Sequence, residues 1–171
     1  MNYDVWGSWS GIVGPNSPLN DTCAPPQYQQ GSAMSAVQAW TSAGLPMKQL
    51  VLGVASYGHS FLVNKSVALT EQGEVTSYPK FEPKQPRGDS TDGPSVDVCG
   101  VKTLDSGNVN FWGMVEVGFL DEEGSPLPGI YYRYDECSHT VRTLHRCSLP
   151  AEELMRSAIR LQRHLASHGF V

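Results

Sequence analysis

The sequence lacks any apolar run approaching the ~18 residues of a membrane-spanning helix, and its first residues lack the basic-then-apolar order of a signal peptide. It also lacks a basic run within its first 140 residues, and 17 acidic against 12 basic side chains give a net charge of -5. This charge balance provides no long-range attraction for phosphate backbones or anionic lipids. We therefore expect neither nucleic acid nor a membrane as a partner.

Cysteine is scarce and widely spaced. Cys23, Cys99, Cys137 and Cys147 have none of the close paired spacing of a zinc site. They are either buried thiols or halves of disulfides, and their spacing does not show which would pair. We expect neither a metal nor a cofactor.

The composition is that of a folded protein rich in loops. Hydrophobic residues make up 40% of the chain and charged residues 17%, which excludes collagen-like, coiled-coil and fully disordered classes. The 171 residues suffice for one domain with its own core. They fall short of the ~250 residues that a closed (β/α)8 barrel usually needs.

The first third of the chain follows a strand, helix, strand pattern. Residues 1–6 favour a short strand, and residues 7–30 form a long Gly/Ser/Pro/Asn-rich loop of the kind that often lines a binding cleft. Ser32 can cap a helix that ends at Gly44. The apolar run 50–55 has no polar alternation, which predicts a strand buried on both faces of a parallel sheet. The crossover between the two strands should be right-handed.

Shorter elements are predicted after Phe61. A helix over 110–120 would bury Phe111, Val115 and Phe119, and residues 130–135 favour a strand. The last 31 residues carry a net charge of +3 against -8 for residues 1–140, which indicates a change of character there. Helical spacing of leucine and alanine predicts a helix over 150–168.

Six ordered segments resemble one protein family. They begin with Met1, Tyr3 and Asp4, which match a Met-x-Tyr-Asp motif, and continue through residues 13–16, the helix after Gly31, and residues 52–61, 110–113 and 132–137. Over residues 1–140 the chain resembles the family 18 glycoside hydrolases, in particular chitinases of filamentous fungi.

The resemblance implies an α/β fold. Residues 1–61 would form part of a (β/α)8 TIM barrel, with its sixth and seventh strands. Residues 62–137 would form an inserted α+β subdomain, and residues 138–171 an atypical, helical tail.

Chitinases of this family use substrate-assisted retention, in which the acetamide of the bound sugar attacks its own anomeric carbon. By resemblance, Tyr3 donates to the acetamide oxygen and Asp4 accepts from a sugar hydroxyl near the scissile bond. Met1 would back the acetamide methyl group, and Trp6 would present a flat face to a pyranose ring. Each of these residues could instead be an ordinary core or loop residue.

Two further substrate-binding residues are Tyr57 and His59, which follow the predicted seventh strand. Many relatives have arginine in place of His59, so this histidine is either a sugar contact or a structural residue. The tryptophan Trp112 is expected in the core of the inserted subdomain.

The glutamate that acts as the catalytic acid in this family is absent from this sequence. It belongs to an Asp-x-x-Asp-x-Asp-x-Glu motif on the fourth strand, and no such string occurs in the 171 residues. The resemblance therefore implies a fragment of a secreted, monomeric chitinase that hydrolyses β-1,4-N-acetylglucosamine polymers, with the fragment inactive alone. An exported parent favours the disulfide interpretation of the cysteines.

Two alternatives to the enzyme fragment are open. The chain could be a lectin-like binder of chitin or chito-oligosaccharides, or a remnant without a ligand. The initial motif methionine and the arginine-rich tail also suggest a truncated gene model.

Overall fold

The structure, a computed structural model, describes residues 1–146 and 152–159. Its main feature is a five-stranded sheet in which every neighbouring pair is antiparallel. In chain order the strands are β1 Tyr57–Asn64, β2 Ser95–Val96, β3 Lys102–Thr103, β4 Asn108–Asn110, β5 Tyr131–Asp135, β6 Thr140–Arg146 and β7 Glu152–Ile159. The sheet has the order β4-β1-β7-β6-β5, while β2 and β3 form a separate hairpin.

Three α-helices accompany the strands: α1 Ala33–Ser42, α2 Lys65–Ala68 and α3 Phe111–Glu116. Short 3-10 turns cover Pro26–Tyr28 and Met47–Gln49. The helix predicted after Ser32 is confirmed. The hydroxyl oxygen of Ser32 accepts from the Ser35 backbone N–H at 3.3 Å, and the Ser35 oxygen accepts from the Ser32 N–H at 2.8 Å. Gly44 follows the helix with a φ of 95°, a value that glycine adopts readily.

The buried strand predicted over 50–55 is wrong. Val54 makes only an isolated parallel bridge to Asn2, and Val51 and Leu52 are 93% and 41% exposed. A parallel strand is buried on both faces only when further strands and helices cover it. In the described part of the chain, Asn2 is the one strand-like backbone neighbour of this run, so Val51, Leu52 and Val54 lie at the surface, whereas Ala55 is buried.

The helix predicted over 150–168 is also wrong where the structure describes it. Residues 152–159 form β7, which pairs with β1 on one side and with β6 on the other. Met155 is fully buried and lies opposite Phe61 and Leu144. Pairing on both edges and burial of this side chain outweigh the local helical spacing. The remainder of the predicted helix lies outside the described residues.

The core has two parts. The larger part surrounds β1 and consists of Val13, Phe61, Val63, Ala68, Val75, Leu144 and Met155. The smaller part contains Val109, Met114, Phe119 and Leu120, with Phe111 and Val115 packed against it. The apolar face predicted for residues 110–120 is therefore confirmed, although α3 is shorter than predicted and Gly118 follows it with a φ of 75°.

The long loop of residues 7–30 is fastened to the sheet. A disulfide joins Cys23 to Cys137, just after β5, with a Cα–Cα distance of 6.4 Å. Next to it, the Leu19 backbone N–H donates to the Ser138 carbonyl at 2.9 Å. The expectation of a disulfide is confirmed for this pair, whereas Cys99 is a free, exposed thiol. The same loop carries Ser8 and Trp9, which line the pocket described next.

Candidate functional site

The site is built around Asp4, whose backbone has a φ of 57° in the left-handed region. Asn16, which is fully buried, holds this conformation because its side-chain oxygen accepts from the Asp4 N–H at 3.0 Å. The amide nitrogen of the same side chain donates to the Tyr57 carbonyl at 3.0 Å. One buried asparagine therefore joins the N-terminal segment to the start of β1.

The Asp4 carboxylate completes the connection. Its Oδ1 accepts from the Tyr57 hydroxyl at 2.7 Å and lies 3.0 Å from Nε2 of His59. Burial, followed by the hydrogen bond to Asp4, raises the pKa of the Tyr57 hydroxyl, which therefore stays protonated and acts as a donor. The side chain of Asp4 is 45% exposed, against 8% for His59. The Asp4 carboxylate is therefore partly exposed to solvent, whereas the His59 ring that contacts it is buried.

A pocket of about 430 Å³ opens beside these residues. Trp9 forms part of its rim, is 63% exposed, and meets the His59 ring edge-on with centroids 5.9 Å apart. A Cβ atom on Gly7 would lie 2.3 Å from the Trp9 ring, so only glycine lets the indole pack this closely on the backbone. The lining residues are Asp4, Ser8, Trp9, His59, Pro83, Gln85, Asp105, Ser106 and Asn108.

The structure brings three of the predicted site residues together. Asp4, Tyr57 and His59 share hydrogen bonds, and the Tyr3 ring lies beside Tyr57 with centroids 6.3 Å apart. Tyr3 does not line the pocket itself.

Met1 and Trp6 are placed elsewhere. Met1 is 92% exposed, and Trp6 is 5% exposed. The Trp6 ring packs against Tyr28 and Tyr78 and closely approaches Gly14. In this arrangement neither face of the Trp6 ring is open to a pyranose. Trp112, expected in the core, is 47% exposed.

Trp9 and Asn16 are among the residues of the site that sequence reasoning missed. Trp9 is a large aromatic residue among glycine and serine in a loop, which is a recognisable sign of a binding surface. Asn16 could not be found in this way, because its role depends on two segments that are brought together only by folding.

Within residues 1–146 and 152–159, no group of three or more His, Cys, Asp or Glu side chains is placed to hold a metal ion. No helix in that part of the protein has the length and apolar character required to cross a membrane.

The chain belongs to the glycosyl hydrolases family 18, whose family model matches residues 1–116. It is 55% identical over 141 residues to a chitinase-like effector of Moniliophthora perniciosa, across 81% of this chain and 32% of the relative. The chain thus spans about a third of the length of that curated relative. The family predicted from the sequence is confirmed.

Solved structures of chitinases are similar to it. A chitinase of Rhizomucor miehei aligns over 90% of this chain and 40% of its own, with a TM-score of 0.69 and 29% identity. A variant of a family 18 chitinase of Cycas revoluta, in complex with (GlcNAc)4, aligns over 93% of this chain and 34% of its own, with a TM-score of 0.57 and 17% identity. These neighbours have the TIM-barrel fold. The assignment of residues 1–61 to the sixth and seventh barrel strands stays a prediction.

Proposed function

We propose that the chain binds oligosaccharides of β-1,4-linked N-acetylglucosamine and, by itself, does not cleave them. The proposal rests on one observation above all: the exposed carboxylate of Asp4, fixed by Tyr57 and His59, lies at a pocket that also carries the exposed indole of Trp9. Sugar-binding sites combine a flat aromatic face with a few fixed polar groups.

Each of these groups has a distinct task. Oδ1 of Asp4 is occupied by Tyr57 and His59, which leaves Oδ2 to accept from a sugar hydroxyl. The indole of Trp9 offers its face to the apolar C–H side of a pyranose ring. Tyr3, beside Tyr57, is the donor for the acetamide oxygen by family resemblance.

Binding without cleavage follows from the missing acid. Departure of a glycosidic oxygen requires a carboxylic acid that protonates it, which typically contributes ~10²- to 10⁴-fold in rate. The Asp-x-x-Asp-x-Asp-x-Glu string that supplies this acid in the family is not in the 171 residues. The relative from Moniliophthora perniciosa is called chitinase-like, which names a likeness rather than an activity.

A second candidate is retaining hydrolysis of chitin by a longer, secreted and monomeric protein that contains this chain. The similarity to a chitinase of Rhizomucor miehei, of which this chain covers 40%, favours it. In such a protein the residues described here would hold the acetamide and the sugar hydroxyls, while the acid would come from outside this chain.

The test compares two equally exposed tryptophans. Trp9 is 63% exposed and Trp40, on α1, is 60% exposed, but only Trp9 lines the pocket. Binding of (GlcNAc)4 to the 171-residue chain is measured by calorimetry, with cellotetraose, which lacks acetamide groups, as the control ligand. We expect Trp9→Ala to weaken binding about 5- to 10-fold, since an aromatic contact contributes ~1 kcal/mol beyond its area.

Trp40→Ala should leave binding unchanged, and cellotetraose should bind more weakly than (GlcNAc)4. Equal losses in the two tryptophan variants would contradict the placement of the sugar in this pocket. Release of shorter sugars from (GlcNAc)4 by the purified chain would contradict the non-catalytic part of the proposal.

A further inference from the structure

The pocket has a marked charge asymmetry. Two carboxylates, those of Asp4 and Asp105, line it, and no lysine or arginine is among its lining residues. His59, the remaining titratable side chain of the lining, is directed to Asp4. One carboxylate serves a neutral sugar as an acceptor for its hydroxyls, as proposed for Asp4. A second carboxylate without a lysine or arginine in the lining also favours a ligand that carries positive charge.

Asp105 differs from the aspartates of the neighbouring loop. Asp89 accepts four hydrogen bonds, from the backbone and side chains of Thr91 and Asn110. Asp92 accepts four others, including three from the backbone N–H groups of residues 88, 106 and 107. In contrast, within the residues that the structure describes, no hydrogen bond or ion pair involves the half-buried Asp105 carboxylate.

The position of Asp105 is nevertheless fixed by its neighbours. The following residue, Ser106, donates its backbone N–H and its hydroxyl to Oδ1 of Asp92, at 2.9 and 2.7 Å. The Gly107 N–H donates to Oδ2 of the same carboxylate at 2.9 Å. The backbone after Asp105 is therefore anchored, while its carboxylate is available to a ligand. Such an arrangement suits recognition better than stabilisation of the fold.

We infer that Asp105 selects positive charge in the ligand, so that the pocket prefers chito-oligosaccharides in which some units are deacetylated. This inference rests on the proposed function. A glucosamine unit carries an amine in place of the acetamide, and the protonated amine is an ammonium ion that a carboxylate attracts. One acetylated unit still lies against Asp4 and Trp9, which line the pocket, while a glucosamine unit lies against Asp105.

The experiment uses the 171-residue chain and two tetramers of equal length, one fully acetylated and one partly deacetylated, at mildly acidic pH and low salt. We expect the partly deacetylated tetramer to bind about 2- to 5-fold more tightly, which is the range of a partly exposed ion pair. Asp105→Asn should abolish this preference, so that the two tetramers bind the variant with equal affinity. The preference should also shrink as the Debye length falls from about 30 Å to about 8 Å on addition of salt.

Glu123→Gln is the matched control, because it removes the same charge from an exposed residue outside the pocket lining. It should leave the preference intact. Equal affinities for the two tetramers in the unmodified chain, or a preference that survives Asp105→Asn, would overturn the role of Asp105 while leaving the proposed function in place. Failure of both tetramers to bind would overturn the proposed function as well.

Discussion

The carboxylate of Asp4 accepts a hydrogen bond of 2.7 Å from the hydroxyl of Tyr57, which lies 53 residues later in the chain. The buried side chain of Asn16 makes a second connection between the same two segments, through the Asp4 N–H and the Tyr57 carbonyl. The orientation of the candidate site therefore depends on how the N-terminal segment packs against β1. Substitutions at Asp4 or Tyr57 should therefore weaken ligand binding more than they lower the stability of the sheet.

Replacement of Tyr57 by phenylalanine tests this relationship. The change keeps the ring but removes the donor to Asp4, and a hydrogen bond to a charged group contributes ~1.5–3 kcal/mol. Because Asp4 is 45% exposed, water replaces part of the loss, and we expect (GlcNAc)4 to bind roughly 5-fold more weakly in calorimetry. Tyr28→Phe is the matched control, since its ring stacks on Tyr78 with centroids 4.5 Å apart and, within the described residues, its hydroxyl donates no hydrogen bond to Asp4. A larger loss of affinity in the control would contradict the assignment.

Asp89 makes the fold sensitive to acid. Burial raises the pKa of its carboxyl, but hydrogen bonds from Thr91 and Asn110 outweigh burial and lower the pKa to about 2. The unfolded chain has an aspartate pKa of ~3.9, so the stabilisation is complete above that pH and is lost as the pH falls toward 2. Asp89→Asn should therefore lower the free energy of unfolding by ~2 kcal/mol at neutral pH and flatten its decline below pH ~4.

Denaturant titrations at several pH values measure this effect. Asp105→Asn serves as the control, since the Asp105 carboxylate has no hydrogen bond within the described residues and its loss should leave the unfolding curve unchanged. An Asp89→Asn protein with the same acid sensitivity as the unmodified chain would show that these hydrogen bonds do not stabilise the fold.

Local signals in the sequence predicted the short-range elements of this fold but not its long-range strand pairing. The helix after Ser32 and the apolar face around Phe111 followed from caps and spacing, because those signals act within a few residues. The strand of residues 152–159 could not be predicted, since its stability comes from pairing with β1 and β6 rather than from its own residues. Similarly, Asp4, Tyr57 and His59 were predicted from the family motifs, whereas Asn16 and Asp105 acquire their surroundings only in the folded chain.

Arg142 carries a buried charge, and we expect its replacement by an apolar residue not to destabilise the fold. It is fully buried on β6, and its nearest acid contact is from Nη1 to Oδ2 of Asp135 at 3.6 Å, beyond hydrogen-bond distance. Burial lowers the pKa of this guanidinium, and the Tyr78 ring lies 5.4 Å from its Cζ. We expect Arg142→Met to be neutral or to stabilise the chain by about 1 kcal/mol in thermal unfolding. Arg142→Lys should destabilise it, because the charge remains and the planar contact with Tyr78 is lost.

The disulfide between Cys23 and Cys137 should be a major source of stability. It closes a loop across 114 residues, and loop-closure entropy gives ~4–5 kcal/mol for a cross-link of that length. Replacing both cysteines by serine should lower the melting temperature by about 10 °C or more and loosen the loop that carries Trp9. Cys99→Ser is the control, because this exposed thiol is free, and it should leave the melting temperature unchanged. Similar melting temperatures for the two variants would show that the cross-link does not form in solution.

Amide hydrogen exchange should distinguish a protected sheet from a labile segment, residues 33–55. The strands β1, β6 and β7 pair on both edges and enclose Phe61, Leu144 and Met155, so their amides should open only on global unfolding. In residues 33–55, by contrast, large apolar side chains such as Trp40 and Val51 are 60% and 93% exposed, and Val54 has a single parallel bridge. With little burial to stabilise it, this segment should exchange ~10²-fold faster or more, as local opening there costs several kcal/mol less. Exchange measured by mass spectrometry on peptic fragments distinguishes the two regions, and equal protection along the chain would contradict the predicted division.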